Sequence, residues 1–146
     1  MIVDFQHHYI PRELLDRHGV QDKVIAEFND DGAPRHLYGP LLGDLDAHVA
    51  MMDTAGIDIA VLSCNEGFDN PDLDACRFIN GKMKDAEDDY PGRFVSLAST
   101  AALGGAEAMK ELERCVHEYG FPGVAIASEI QGRALDDPCL DALWET

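Results

Sequence analysis

Three side chains able to bind a metal, Gln6, His7 and His8, follow directly on the short apolar run Ile2-Val3-Asp4-Phe5, and Pro11 comes just after them. A neutral imidazole is the commonest transition-metal ligand. Two donors at i and i+2 of a strand project to one side and can grip a single ion from a rigid platform. In regular alternation Gln6 and His8 share a side and His7 points to the other. An amide oxygen is an uncharged, weaker ligand than an imidazole, so His8 ranks first. Gln6 comes second, as a weak ligand or as a residue orienting a metal-bound water, and His7 third. The alternative reading is a pair of polar residues ending a strand.

These residues need a scaffold, and the rest of the chain supplies its pattern. Apolar, β-branched runs recur at Ile2–Phe5, Ile59–Leu62, Phe94–Leu97 and Gly123–Ala127. Segments of helical period separate them, the alternation of parallel β/α units. Leu45, Val49 and Met52 form one helical stripe ended by Gly56. Asn70 or Asp69 can cap the next helix with Pro71 in its first turn, and Ala75, Ile79, Met83 and Ala86 make its apolar face. Ala108, Leu112, Cys115 or Val116, and Tyr119 repeat the scheme up to Gly120. His48 and His117 lie within such helices and read as structural, hydrogen-bonded or partly exposed histidines. Residues from about 11 to 40 break the rhythm with Gly19, Gly32, Pro34 and Gly39 among acids, which predicts a long loop with short helical pieces inserted after the first strand. Arg35, His36 and Tyr38 in that insertion could meet a carboxylate substrate. At later strand ends Asn65, Ser99 and Glu129 are available polar groups, but no spacing rule selects them. Cys64 also lies at a strand end.

Asp4, His8 and Pro11 resemble the Asp-x-His-x-His opening and following proline of the amidohydrolase superfamily, in its aminocarboxymuconate-semialdehyde-decarboxylase-like branch, with Gln6 in place of the first histidine. The resemblance continues through Met52-Asp53-Thr54-Ala55-Gly56-Ile57-Asp58-Ile59-Ala60-Val61-Leu62-Ser63, Phe78-Ile79-Asn80, Tyr90-Pro91-Gly92-Arg93-Phe94, Leu135-Asp136-Asp137-Pro138 and Leu143-Trp144-Glu145. It implies an eight-stranded (β/α)8 TIM-type barrel, of which residues 1–146 are the first half, about four β/α units, in a single domain. A complete barrel needs roughly 250 residues. It further implies a metal-dependent hydrolase or non-oxidative decarboxylase of small carboxylate or carbonyl compounds, with a divalent ion, zinc first and manganese second. In such relatives the other ligand histidines and a catalytic aspartate come from later strands, so no catalytic residue is assigned in this chain. The runner-up is a catalytically inactive half-barrel that oligomerises or binds a partner.

Composition narrows the partners. The 28 acidic residues against 11 basic ones give a formal net charge of −17, which repels phosphate backbones and anionic membrane surfaces. The four cysteines have no Cys-x-x-Cys spacing and read as free thiols of a cytoplasmic protein. No stretch resembles a signal peptide or a membrane span. A small nucleotide-binding α/β module is the weakest alternative, because His7-His8-Tyr9-Ile10-Pro11 stands where a glycine-rich phosphate loop would follow the first strand. A four-stranded parallel sheet alone leaves edges and a core face uncovered, which predicts either a homo-oligomer or a missing C-terminal half.

Overall fold

The computed structural model describes residues 1–146. Its centre is a parallel sheet in which β1 (Val3–His8) pairs with β4 (Ile59–Ser63), and β4 with β5 (Phe94–Ser96). These are three of the four strands expected from the apolar runs. The fourth, at Gly123–Ala127, is reduced to a parallel bridge between Ala98 and Val124. Ala98 N–H donates to the Gly123 carbonyl and Ala125 N–H to the Ala98 carbonyl, both at 2.9 Å. Pro122 and Gly123 at its start are weak strand formers.

Helices cover one face of the sheet, and their sequences explain their limits. α2 (Leu45–Ala55) starts at Asp44, whose carboxylate accepts from Ala47 N–H, and stops at Gly56, whose φ of 71° suits a residue without Cβ. α3 (Leu73–Asp89) is capped by Asp72, two to three residues beyond the expected Asp69 or Asn70. Asn70 instead accepts from Asp72 N–H and so shapes the approach to the helix. Cys76, Ile79, Asn80, Met83 and Ala86 are buried along α3 at helical spacing. Each large apolar side chain among them contributes about 1.5–3 kcal/mol by leaving water. α4 (Gly105–Arg114) runs into a π-turn over Cys115–Tyr119 that closes at Gly120.

The insertion differs from expectation. Besides α1 (Arg12–Arg17) it contains an antiparallel hairpin of β2 (Ile25–Phe28) and β3 (Pro34–Tyr38). Asn29-Asp30-Asp31-Gly32 makes the turn: Asn29 N–H donates to the Ala33 carbonyl at 2.8 Å and Gly32 has a φ of 82°. Those turn residues carried the signal for a hairpin, but the strands beside them are only four and five residues long. A second small hairpin joins β6 (Glu129–Ile130) to β7 (Arg133–Ala134), and α5 (Asp141–Glu145) follows a short 3-10 turn at Pro138–Leu140. Cys64, Cys76 and Cys115 are buried thiols and Cys139 is exposed. No helix is long and apolar enough to cross a membrane. β1 lies at the sheet edge, where Ile2, Val3 and Phe5 are 57%, 43% and 73% exposed.

Candidate metal centre at the strand ends

The ladder between β1 and β4 pairs Asp4 with Ala60 and next His7 with Leu62, so β1 holds one extra residue between those pairs. This β-bulge resets the alternation and brings Asp4 and His7 to one side. His7 Nδ1 lies 2.8 Å from Asp4 Oδ2, and His7 Nε2 lies 3.1 Å from Nδ1 of His48 on α2. His48 is 3% exposed, and its Nε2–H donates to the Leu41 carbonyl at 2.7 Å. Burial holds the His48 pKa below the ordinary imidazole value, which favours the neutral ring. The neutral ring spends its one proton on Leu41, so its Nδ1 accepts from His7. The hydrogen bond with His7 holds the Asp4 carboxyl below the usual range. Both His7 nitrogens therefore lie within hydrogen-bond distance of protein groups, Asp4 on its own strand and His48 on α2.

His8 points away from His7. It is exposed, and its Nδ1 is 3.2 Å from Oγ of Ser63, its partner in the ladder. If the imidazole donates from Nδ1 to that hydroxyl, Nε2 keeps its lone pair free, the arrangement in which histidines bind metals. The ring also faces Phe68 at 6.1 Å between centroids. Gln6 is exposed within the bulge, and its backbone N–H donates to Asp4 Oδ1 at 3.2 Å. No three His, Cys, Asp or Glu side chains converge to hold an ion. His8 and Gln6 supply two donors at most, whereas a catalytic zinc usually takes three protein ligands and keeps one open position. The residues present do not by themselves fit a complete metal centre.

The other strand-end residues divide into structural and open groups. Cys64 is buried, and burial pushes its thiol up to about 12, which makes it an inert thiol at neutral pH in the metal-free chain. Ser99 is packed beneath Gly67, where an added Cβ would come within 2.1 Å of Ser99 Oγ. Its backbone is held at both ends by Asn80, which accepts from Ser99 N–H at 2.7 Å and donates to the Ser99 carbonyl at 3.0 Å. Glu129 is exposed on β6. Asn65 Oδ1 and Thr100 Oγ1 are buried without a hydrogen-bond partner. Thr100 carried no spacing signal in the sequence.

Arg35, His36 and Tyr38 of β3 line a cavity of about 300 Å³ with His18, Glu27, Asn65, Glu66 and Asp69. Tyr38 is buried, donates its hydroxyl to Glu66 at 2.7 Å, and has a pKa raised by burial and then by that carboxylate. His18 stacks on the Tyr38 ring at 4.1 Å. Neither His18 nor Glu66 stands out in the sequence, because the hairpin fold, not local spacing, brings them together.

Comparison with known proteins agrees with this geometry. A family model described as "Amidohydrolase" matches residues 3–146. A 2-amino-3-carboxymuconate-6-semialdehyde decarboxylase of Dictyostelium discoideum is 31% identical over 108 residues, 70% of this chain and 30% of that protein. Decarboxylase orsB of Emericella nidulans is 29% identical over 101 residues, 68% of this chain and 30% of its own. Among solved structures, a 5-carboxyvanillate decarboxylase from Novosphingobium aromaticivorans, in complex with manganese and 4-hydroxy-3-methoxy-5-nitrobenzoic acid, superposes with a TM-score of 0.76 at 26% identity. The match covers 99% of this chain and 46% of that one. A 2,6-dihydroxybenzoate decarboxylase complexed with 2,6-dihydroxybenzoate shares the fold, with a TM-score of 0.70 at 23% identity over 99% of this chain and 46% of its own. The chain spans just under half the length of these solved structures and matches 30% of each curated relative.

Proposed function

Because the chain belongs to the amidohydrolase family, we propose that it is the N-terminal half of a metal-dependent decarboxylase or hydrolase acting on a small carboxylate, with residues 11–40 as its insertion. The observation that carries this reading is His8, which ends β1 with one ring nitrogen available and faces the C-terminal end of the parallel sheet, where barrel enzymes build their sites. The share of this chain in the chemistry is to present that imidazole from a bulged, braced strand. Gln6 is the second donor we assign, as a weak ligand or as a support for bound water. The remaining ligands and the proton-moving group belong to later strands. Manganese in the carboxyvanillate decarboxylase supports a divalent ion here; the His8 imidazole suits zinc, and manganese would rely more on oxygen ligands such as the Gln6 amide or water. Arg35 and His36 stand ready for a substrate carboxylate, and we place the enzyme in the cytoplasm on the strength of its free cysteines.

The test is metal binding and carboxylate turnover by the enzyme that contains this chain, obtained by reading the coding frame past codon 146 or by supplying the other half in trans. His8→Ala is expected to remove at least 100-fold of metal affinity and the metal-dependent release of CO2 or hydrolysis product, with circular dichroism unchanged. Equal metal affinity in the variant sinks the assignment of His8.

A second reading has its own observation. Ile2, Val3 and Phe5 leave an apolar strip along the unpaired edge of β1, which suits an inactive half-barrel that associates with a copy of itself or a relative. That reading requires an oligomer on size exclusion, and a soluble monomer overturns it.

A further inference from the structure

We propose that His18 is a proton-dependent clamp that fastens the inserted hairpin to the catalytic end of the sheet. His18 follows α1, and its two ring nitrogens face carboxylates on two different parts of the molecule. Nδ1 is 3.1 Å from Glu27 Oε1 on β2, and Nε2 is 3.3 Å from Glu66 Oε2 in the turn that leaves β4. An imidazole gives both contacts a proton only when it carries two, as the imidazolium. Losing one proton turns one contact into a lone pair against a carboxylate. The clamp then lets go either of the hairpin or of the body, and a charge-assisted hydrogen bond is lost with it.

The surroundings determine what the change moves. Glu66 also receives the Tyr38 hydroxyl, and Tyr38 is stacked on His18 at 12° between ring planes. His18, Tyr38 and Glu66 therefore form one unit joining α1, β3 and the β4 turn. The other charged groups near the ring are Glu27, Arg35, His36 and Asp69. His36 lies 3.6 Å from Glu27 Oε2, a contact between the two strands of the hairpin, so its protonation does not tie hairpin to body. Asn65, with its orphaned buried Oδ1, lines the same cavity, and opening the clamp would give that atom water.

The hairpin is held against the strand ends while the ring carries both protons and is loosened when it loses one, with the Tyr38 hydroxyl on Glu66 as the remaining tie. The meaning of this as a lid over a reacting carboxylate rests on the function proposed above, but the clamp itself is tested without turnover. Hydrogen exchange of the Ile25–Tyr38 segment, expressed as protection factors at pH 5.5 and pH 8.0, should show protection falling about tenfold at the higher pH. His18→Gln should remove that pH dependence. Glu66→Gln should keep the hairpin protected at pH 8.0, because an amide N–H can donate to the lone pair of the neutral ring. A wild type with equal protection at both pH values overturns the proposal. So does a His18→Gln or a Glu66→Gln protein that loses protection as the wild type does. The Glu66 variant keeps the test decisive if His18→Gln fails to fold.

Discussion

The layer formed by α3, β5 and α4 and the strip formed by β1 with the strand ends are built to opposite standards. In the first, Asn80 satisfies Ser99 at both backbone groups and donates to Glu111 at 3.0 Å, and Glu111 in turn receives Arg114 at 2.7 and 2.9 Å. Burial raises the Glu111 pKa, but Arg114 and Asn80 outweigh it and hold the carboxyl below its ordinary value. In the second, Phe5 is largely in water, and two buried polar atoms, on Asn65 and Thr100, have no partner. Both faces of β4 are buried, so the exposure is confined to the β1 edge. The packed layer fixes where the loop after β5 sits, and the open strip is what a completing half would cover.

The largest expected effect lies in the packed layer. Asn80→Ala removes three hydrogen bonds and strands the buried Ser99 N–H and carbonyl, while Glu111 keeps Arg114 and Cys115. An unsatisfied buried group costs about 1–3 kcal/mol, so a total of about 3 kcal/mol or more is expected in urea unfolding. A loss under about 1 kcal/mol would erase the contrast, because the layer would then be no better determined than the open edge.

A middle-sized effect comes from acid, and it arrives in two stages that separate the regions. His48 has a lowered pKa through burial. Its contribution is therefore complete above its ordinary value of 6.5 and is lost as pH falls toward the folded value, because the unfolded ring takes up the proton first. Glu111 is also lowered, so its contribution stands above 4.5 and is lost below that. The unfolding free energy from urea titrations should fall as pH drops below 6.5, and fall again below 4.5. His48→Gln should remove the first stage and leave the second. Loss of both stages in that variant would mean that the β1 side and the packed layer unfold on one shared trigger.

The contrast also explains what could be read from the chain. Alternating apolar runs and the Gly56 and Gly120 stops identified three strands and three helices, because burial on one face imposes a period that residue types record. The fourth strand at Gly123–Ala127 was equally apolar, yet it forms only a bridge. Pairing depends on which backbone lies alongside, and residue types do not record that. His8 was legible from its place after an apolar strand. The fate of His7 was not, since its engagement depends on a bulge and on His48, 41 residues away. His18 and Glu66 were invisible for the same reason: a hairpin between them brings together residues with no shared period. Gln6, standing where the resembled motif has a histidine, was plain at once, and the structure leaves it exposed in the bulge.

The smallest effect is expected where the sequence looks most demanding. Phe5 is an aromatic residue in the first strand, and by type alone it belongs to a core, but its side chain is 73% exposed. Phe5→Ser should change the stability of the isolated chain by under about 0.5 kcal/mol, as surface substitutions do. The same change should weaken whatever covers β1, because a buried aromatic side chain contributes about 1.5–3 kcal/mol. Sedimentation of the isolated chain and of the completed barrel, with and without the substitution, separates the two. A stability loss of 2 kcal/mol in the isolated chain would show that β1 is already covered in solution, by a second copy or by its own chain, and would close the gap between the two regions. A silent substitution in the isolated chain, together with lost association or lost barrel stability, places the missing partner of the sheet on the β1 edge.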